Sequence, residues 1–162
     1  GSLTSPAIKR GLLLMTDAHP ARDAYLAETK QQLRKTGIVE SHFGRKRWIY
    51  KSWSHDPREF QEALREGANM RVQGTAADIL KIALVTIDKE LRKHYLTSRL
   101  VSTVHDEVVL EVADDEVLRV AYLVNQAFSG LLPGMELPVE VSLGKDWGHM
   151  DLYEWEKLWK KS

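Results

Sequence analysis

The sequence predicts an α+β fold, with an antiparallel β-hairpin and a further strand packed on long helices, and three observations carry that prediction. Leu100 to Val104 and Val108 to Val112 are two short Val-, Leu- and Thr-rich runs, the composition of strands on a half-buried sheet, around the polar trio His105, Asp106 and Glu107. Ile79, Leu80, Ala83, Leu84, Ile87 and Leu91 recur at the three- and four-residue spacing of a core-facing helix. Leu137 to Leu143 alternates as a strand, with Val139, Val141 and Leu143 on one face.

The elements follow in chain order. Gly1-Ser2 reads as an expression scar and is set aside. Leu3 to Lys35 reads as helical with an interruption at His19-Pro20, because a proline displaces its predecessor from the α region and suits a first helical turn. Leu12, Leu13, Leu14 and Met15 are apolar enough to need a surface to pack on. Ala24, Tyr25, Leu26, Thr29 and Leu33 form a partial apolar stripe, and Thr36-Gly37 ends the helix. Ile38 to Tyr50 holds two strand-like pieces around Phe43-Gly44, followed by a loop from Lys51 to Pro57.

Pro57 to Met70 reads as a helix weakened at Gly67, with a break over Arg71 to Gly74. Thr75 and Asp78 have the spacing of a capping pair and are expected to start the next helix. After the hairpin, Asp114-Asp115-Glu116 supply the acidic first turn of a helix that turns Val117, Leu118, Ala121, Val124, Ala127 and Phe128 inward. Leu132-Pro133-Gly134 closes it, Gly144 to Trp147 turns, and a short tail helix carries Trp155 and Trp159. The expected organisation is a helical and basic segment over 3–56, a body over 57–150 and a helical tail over 151–162.

Composition bounds the chemistry. The 162 residues suffice for one domain with a sizeable core. With no cysteine there is neither disulfide nor thiolate metal site, which suits a reducing compartment. No apolar run is long enough to span a bilayer. The zero net charge conceals an asymmetry, +6 over residues 1–51 and −6 over the rest. Nucleic acid at the basic surface is one reading, and mutual attraction within the fold is another.

Two constellations carry candidate chemistry. Asp106 and Glu107 put neighbouring carboxylates where the hairpin must turn, the arrangement that holds Mg²⁺ against phosphate oxygens. An ordinary charged hairpin tip fits the same residues. Arg45, Lys46 and Arg47, interleaved with Trp48 and Tyr50, suit contact with a nucleic-acid backbone. A solvated cationic loop with its aromatics in the core is equally consistent.

Taken together, the motifs resemble family A DNA polymerases. TGIVESHFGRKRWIY (36–50) is similar to the G-Y-V-x-T-x-F-G-R-R-R segment, and REGANMRVQGTAADILKIA (65–83) to R-x-x-x-N-x-P-x-Q-G-T-A-A-D-x-x-K. STVHDEVVLEV (102–112) resembles motif C, V-H-D-E, and PVEVSLGKDW (138–147) the closing V-x-x-G-x-x-W stretch. Four matches in order over about residues 20–150 make an accident remote.

The resemblance implies a polymerase palm-like fold, with residues 20–50 reaching from fingers toward palm, and DNA-directed nucleotidyl transfer to a primer 3′-hydroxyl. It makes Asp106 a ligand of the catalytic Mg²⁺, with Glu107 its acidic neighbour, and His105 the residue at the primer end. Arg65, Asn69 and Gln73 fall on positions that contact the primer–template duplex. Those side chains can donate to minor-groove acceptors, which lie at nearly the same place in every correct pair.

The chain departs from the family pattern in three ways. Motif A, with the other metal-binding aspartate, and the fingers helix that grips the incoming deoxynucleoside triphosphate are not among these residues. Arg71 stands where the family usually has proline. The two-metal site is therefore only partly supplied here, and the chain alone is expected to be inactive.

The expected partner is a complementary polymerase fragment or subunit, which the leucine-rich start and the tryptophan-bearing tail would help to cover. The expected location is the cytoplasm of a bacterium, or of a host if the protein is viral. A non-catalytic DNA-binding or scaffold module derived from a polymerase palm is the alternative, and a metal-free structural domain is the third reading.

Overall fold

Pro20 and Gly37 bound the first helix as their chemistry requires. Pro20 opens α1 (Pro20–Thr36), and Gly37, at φ 67°, donates its N–H to the Leu33 carbonyl at 2.9 Å in a left-handed C-terminal cap. The computed structural model describes residues 20–146 and 148–159, so the expected helix before His19 and the expected turn at Trp147 lie outside the described residues. β1 (Ile38–Glu40) and β2 (Lys46–Trp48) pair antiparallel, with Val39 opposite Arg47. Tyr50–Trp53 forms a 3₁₀ turn, beginning one residue before the expected loop over Lys51 to Pro57.

One long helix, α2 (Pro57–Lys93), replaces the two expected helices. Its 37 residues span about 55 Å, and Arg71 to Gly74 does not interrupt it. No residue of that stretch lacks a backbone donor, and the roughly 1 kcal/mol cost of a mid-helix glycine is within what tertiary packing overrides. Gly67 marks a close crossing rather than a weak end: a Cβ there would lie 3.1 Å from both Leu33 Cδ1 and Val39 Cγ1. Thr75 is not a cap either. Its hydroxyl donates to the Arg71 carbonyl one turn back at 2.6 Å and accepts from the His42 N–H at 2.9 Å.

β3 (Arg99–Val104) and β4 (Glu107–Glu111) form the expected hairpin. α3 (Val117–Phe128) follows. It starts after the acidic triplet rather than with it, and Glu116 occupies the cap position without a side-chain bond to the helix backbone. Its carboxylate is taken up elsewhere, by Thr97 and Ser98. Val120 joins Ala121, Val124 and Ala127 in the core, whereas Val117, Leu118 and Phe128 are half-buried.

The expected strand over 137–143 is displaced to β5 (Ser142–Asp146), which pairs antiparallel with β6 (His149–Leu152). Gly144 lies within β5 instead of turning, and an added Cβ would collide with the His149 carbonyl, so glycine is what permits the strands to approach. α4 (Trp155–Trp159) is the tail helix, with Trp155 buried. Tyr122 stacks on Trp159 at 4.0 Å and meets Trp155 edge-on at 6.4 Å.

The fold is α+β: helices with three two-stranded antiparallel sheets among the described residues. The chain divides within α2, between Ala76 and Ala77, into two compact units. The first is built on Leu33, Val39, Ile49, Phe60, Ala63 and Met70. In the second, Ala83, Ile87 and Leu91 from α2 meet Val120, Val124 and Ala127 from α3, with Leu100 and Leu110 of the hairpin against them. No helix among the described residues is long and apolar enough to cross a membrane.

Candidate metal-binding hairpin and nucleic-acid face

The β3–β4 hairpin turns through two residues only. Val104 pairs with Glu107, so His105 and Asp106 alone form the loop and Glu107 is the first residue of β4, not part of the turn. His105 takes φ 56°, the positive φ that a two-residue hairpin loop uses to match the twist of its strands. His105, Asp106 and Glu107 are all exposed. Neither carboxylate is engaged by a hydrogen bond or ion pair among the described residues.

The hairpin's other end is tied down. Arg99 and Glu111 face each other across the strands and pair at 2.7 Å. Glu116 accepts from the Thr97 N–H at 2.9 Å, the Ser98 N–H at 2.9 Å and both hydroxyls, while the Ser98 hydroxyl accepts from the Ala113 N–H at 3.2 Å. Those bonds, the Ser98 hydroxyl first and the Thr97 N–H next, hold the Glu116 carboxyl down at about 2. One carboxylate therefore fastens the segment entering β3, and through Ser98 the segment leaving β4. Nothing in the sequence pattern distinguished this role from an acidic helix start.

Asp106 and Glu107 fit part of a Mg²⁺ site, since they offer exposed anionic oxygens without competing cations. They do not make a whole one. No group of three or more His, Asp or Glu side chains able to hold a metal occurs among the described residues.

In the first unit, Arg65, Asn69 and Gln73 are exposed at successive four-residue steps along α2, one row rising about 12 Å. The neighbouring row is acidic. Glu62 pairs with Lys51 at 2.6 Å and Glu66 with Arg47 at 2.8 Å, both in solvent. Lys51's bond holds the Glu62 carboxyl below its usual range. Such exposed pairs contribute little to stability.

Gln73 and the three basic residues Arg45, Lys46 and Arg47 are brought together around a groove of about 380 Å³, floored by Met70 and Gly74. Arg65 and Asn69 share the helix row but do not line that groove. The His105–Glu107 tip belongs to the second unit.

Arg71 lies elsewhere. Its guanidinium donates to Thr29 Oγ1 at 2.9 Å and to Glu28 Oε1 at 3.0 Å, and lies 4.7 Å over the Tyr25 ring. Tyr25 in turn donates its hydroxyl to the Ala68 carbonyl at 2.7 Å. Arg71 joins α1 to α2, and its positive charge is spent on Glu28 instead of on the exposed row. Residue type alone left its direction open.

Comparison with known proteins bears on these sites. The family model for DNA polymerase family A matches residues 15–149. The chain is 38% identical to thermostable DNA polymerase I of Thermus thermophilus over 131 residues, covering 80% of this chain and 16% of that protein. It is 37% identical to DNA polymerase I of Mycobacterium tuberculosis over 120 residues, covering 74% and 13%. With DNA polymerase I of Pseudomonas aeruginosa the identity is 36% over 130 residues, covering 80% and 14%.

Among solved structures, the polymerase domain of Pol1 from M. smegmatis, in complex with DNA primer-template and dNTP, superposes with a TM-score of 0.69 at 29% identity, covering 77% of this chain and 23% of that one. The chain thus spans about 13–16% of the length of these curated relatives. Matched by the family model over most of its residues and by these relatives in the same stretch, the chain belongs to DNA polymerase family A.

Proposed function

We propose that these residues supply the motif C hairpin and the duplex-facing helix of a DNA-directed DNA polymerase, acting with motif A and the fingers helix from outside them. The observation that carries this reading is the pair of uncommitted carboxylates at the hairpin tip, Asp106 on the two-residue turn and Glu107 at the start of β4, with the hairpin base tied by Glu116 and Arg99.

In this reading Asp106, supported by Glu107, would hold Mg²⁺, which would supply charge neutralisation for an in-line displacement at phosphorus. Asp106 and Glu107 contribute negative charge at a fixed place. His105, held with them on the same turn, donates toward the primer end. Arg65, Asn69 and Gln73 present donors along one helix row to minor-groove acceptors, which tests pair geometry without reading sequence. Arg45, Lys46 and Arg47 neutralise backbone phosphates.

The partners are then primer–template DNA, the deoxynucleoside triphosphate of the complete enzyme, and a complementary polymerase segment. The location is that of the DNA, in bacterial or host cytoplasm. Residues 57–150 serve as palm, 3–56 join it to the fingers, and 151–162 form a tail.

Primer extension with these residues and the complementary motif A and fingers segment together tests the assignment. Asp106→Ala is expected to lower the extension rate by about a thousandfold or more, since metal-borne charge stabilisation is worth several kcal/mol. Extension that persists in Asp106→Ala overturns the metal assignment. Duplex binding without extension in the combined protein favours the non-catalytic DNA-binding module instead.

A further inference from the structure

We propose that the Trp48–Trp53 face of the first unit is a stacking platform for the unpaired bases of a nucleic-acid single strand. It lies outside the contacts assigned to the duplex and does not rest on the catalytic reading, because a chain without polymerase activity would bind single strands there just as well.

The β1–β2 register separates two faces. Val39 is fully buried and Arg47 opposite it reaches Glu66 on α2, so that face looks toward the core. Trp48, opposite Ile38 in the alternate register, stands on the other face. It keeps 52% of its surface exposed, and Trp53 on the 3₁₀ turn keeps 50%.

The two indoles are 6.0 Å apart and tilted by 46°, so neither ring covers the other. Trp53 is positioned by design of the backbone. Its ring lies where a Cβ on Gly37 would fall, 2.5 Å from Cζ2, so only the glycine of the α1 cap leaves room for it. Two half-exposed tryptophans side by side are costly to present to water unless something covers them.

Charge selects the occupant. Lys51 stands on the 3₁₀ turn between Trp48 and Trp53 in sequence, its partner the exposed Glu62 at 2.6 Å, and Arg34 donates to the Ser52 carbonyl next to Trp53 at 3.4 Å. An anionic partner with flat apolar faces complements that surface, and a nucleic-acid single strand has both properties. A paired duplex does not, because its base faces are already stacked and only edges and phosphates remain available.

The test compares the intact chain with Trp48→Leu and Trp48→Phe in binding to oligo-dT and to a blunt DNA duplex at one salt concentration, read by anisotropy. Trp48→Leu keeps an apolar side chain but no ring, and Trp48→Phe keeps a ring. The expected result is a loss of about tenfold in oligo-dT affinity for Trp48→Leu, within the range measured for one stacked base, with most of it restored in Trp48→Phe and less than twofold change on the duplex. Equal losses on both DNAs, or a leucine that serves as well as phenylalanine, overturn the proposal. Should Trp48→Leu fail to fold, tryptophan emission decides: oligo-dT quenches the wild-type chain and quenches Trp48→Phe distinctly less, and identical quenching in the two overturns it. An acidic peptide that competes while oligo-dT does not bind also overturns it. Primer extension is read separately, so failure here and failure of the polymerase assignment are distinguishable.

Discussion

Arg71 shows how a single side chain can be read correctly in type and still be open in role. Its side chain keeps 16% of its surface exposed, and the guanidinium joins Thr29 and Glu28 of α1 to the middle of α2, over the Tyr25 ring. The Nε atom is buried without a partner, which is a standing cost against the gain from the two Nη bonds. Arg71→Ala is expected to destabilise the protein by about 2 kcal/mol, the loss of charge-assisted hydrogen bonds and packing in a partly buried setting. Urea unfolding checks this through a lower midpoint at unchanged slope. Primer–template affinity should change little, because the charge is committed to Glu28 and not to the exposed row of Arg65, Asn69 and Gln73.

At the scale of the element, the β3–β4 hairpin depends on how its base is held. Two strands of five and six residues are marginal alone, and here Leu100 and Leu110 reach the core while Glu116 bonds the chain on either side. The Glu116 carboxyl is held at about 2, below its ordinary value of 4.5, so folding favours its charged form. Its contribution is fully present above about pH 4.5 and is lost as the pH falls toward 2. Thermal unfolding followed from pH 6 to pH 2 should therefore show the advantage of wild type over Glu116→Gln narrowing across that window. A constant gap would mean that the carboxylate's charge is not what ties the hairpin.

On the scale of the whole molecule, three of the ten Lys and Arg of residues 1–51 are gathered at one groove. Arg45, Lys46 and Arg47 surround one groove with Gln73, and the carboxylate paired with Arg47, Glu66, is exposed. Replacing all three by alanine is expected to reduce the slope of log affinity for primer–template against log salt by roughly 2.7, at about 0.9 per phosphate contact. An unchanged slope in a salt titration would remove this cluster from the nucleic-acid interface.

What the sequence by itself determined was set by local chemistry. Proline at a helix start, glycine at its end, the Val- and Leu-rich runs around His105 to Glu107 and the apolar stripe of Ile79 to Leu91 each act within a few residues, and the α+β expectation rested on them. The candidate residues Asp106, Glu107, Arg65, Asn69 and Gln73 were legible because their types and spacing carry the motif. The tertiary structure decided what local preference leaves balanced. Gly67 and Gly74 weaken a helix in isolation, yet α2 runs unbroken because Leu33 and Val39 pack against the first and Ser41 against the second. Glu116 suits a helix start, yet its oxygens go to Thr97 and Ser98, and Arg71 turns to α1 for the same reason. A side chain with several satisfactory partners takes the one that folding brings within reach, and that distance is not written in the neighbouring residues.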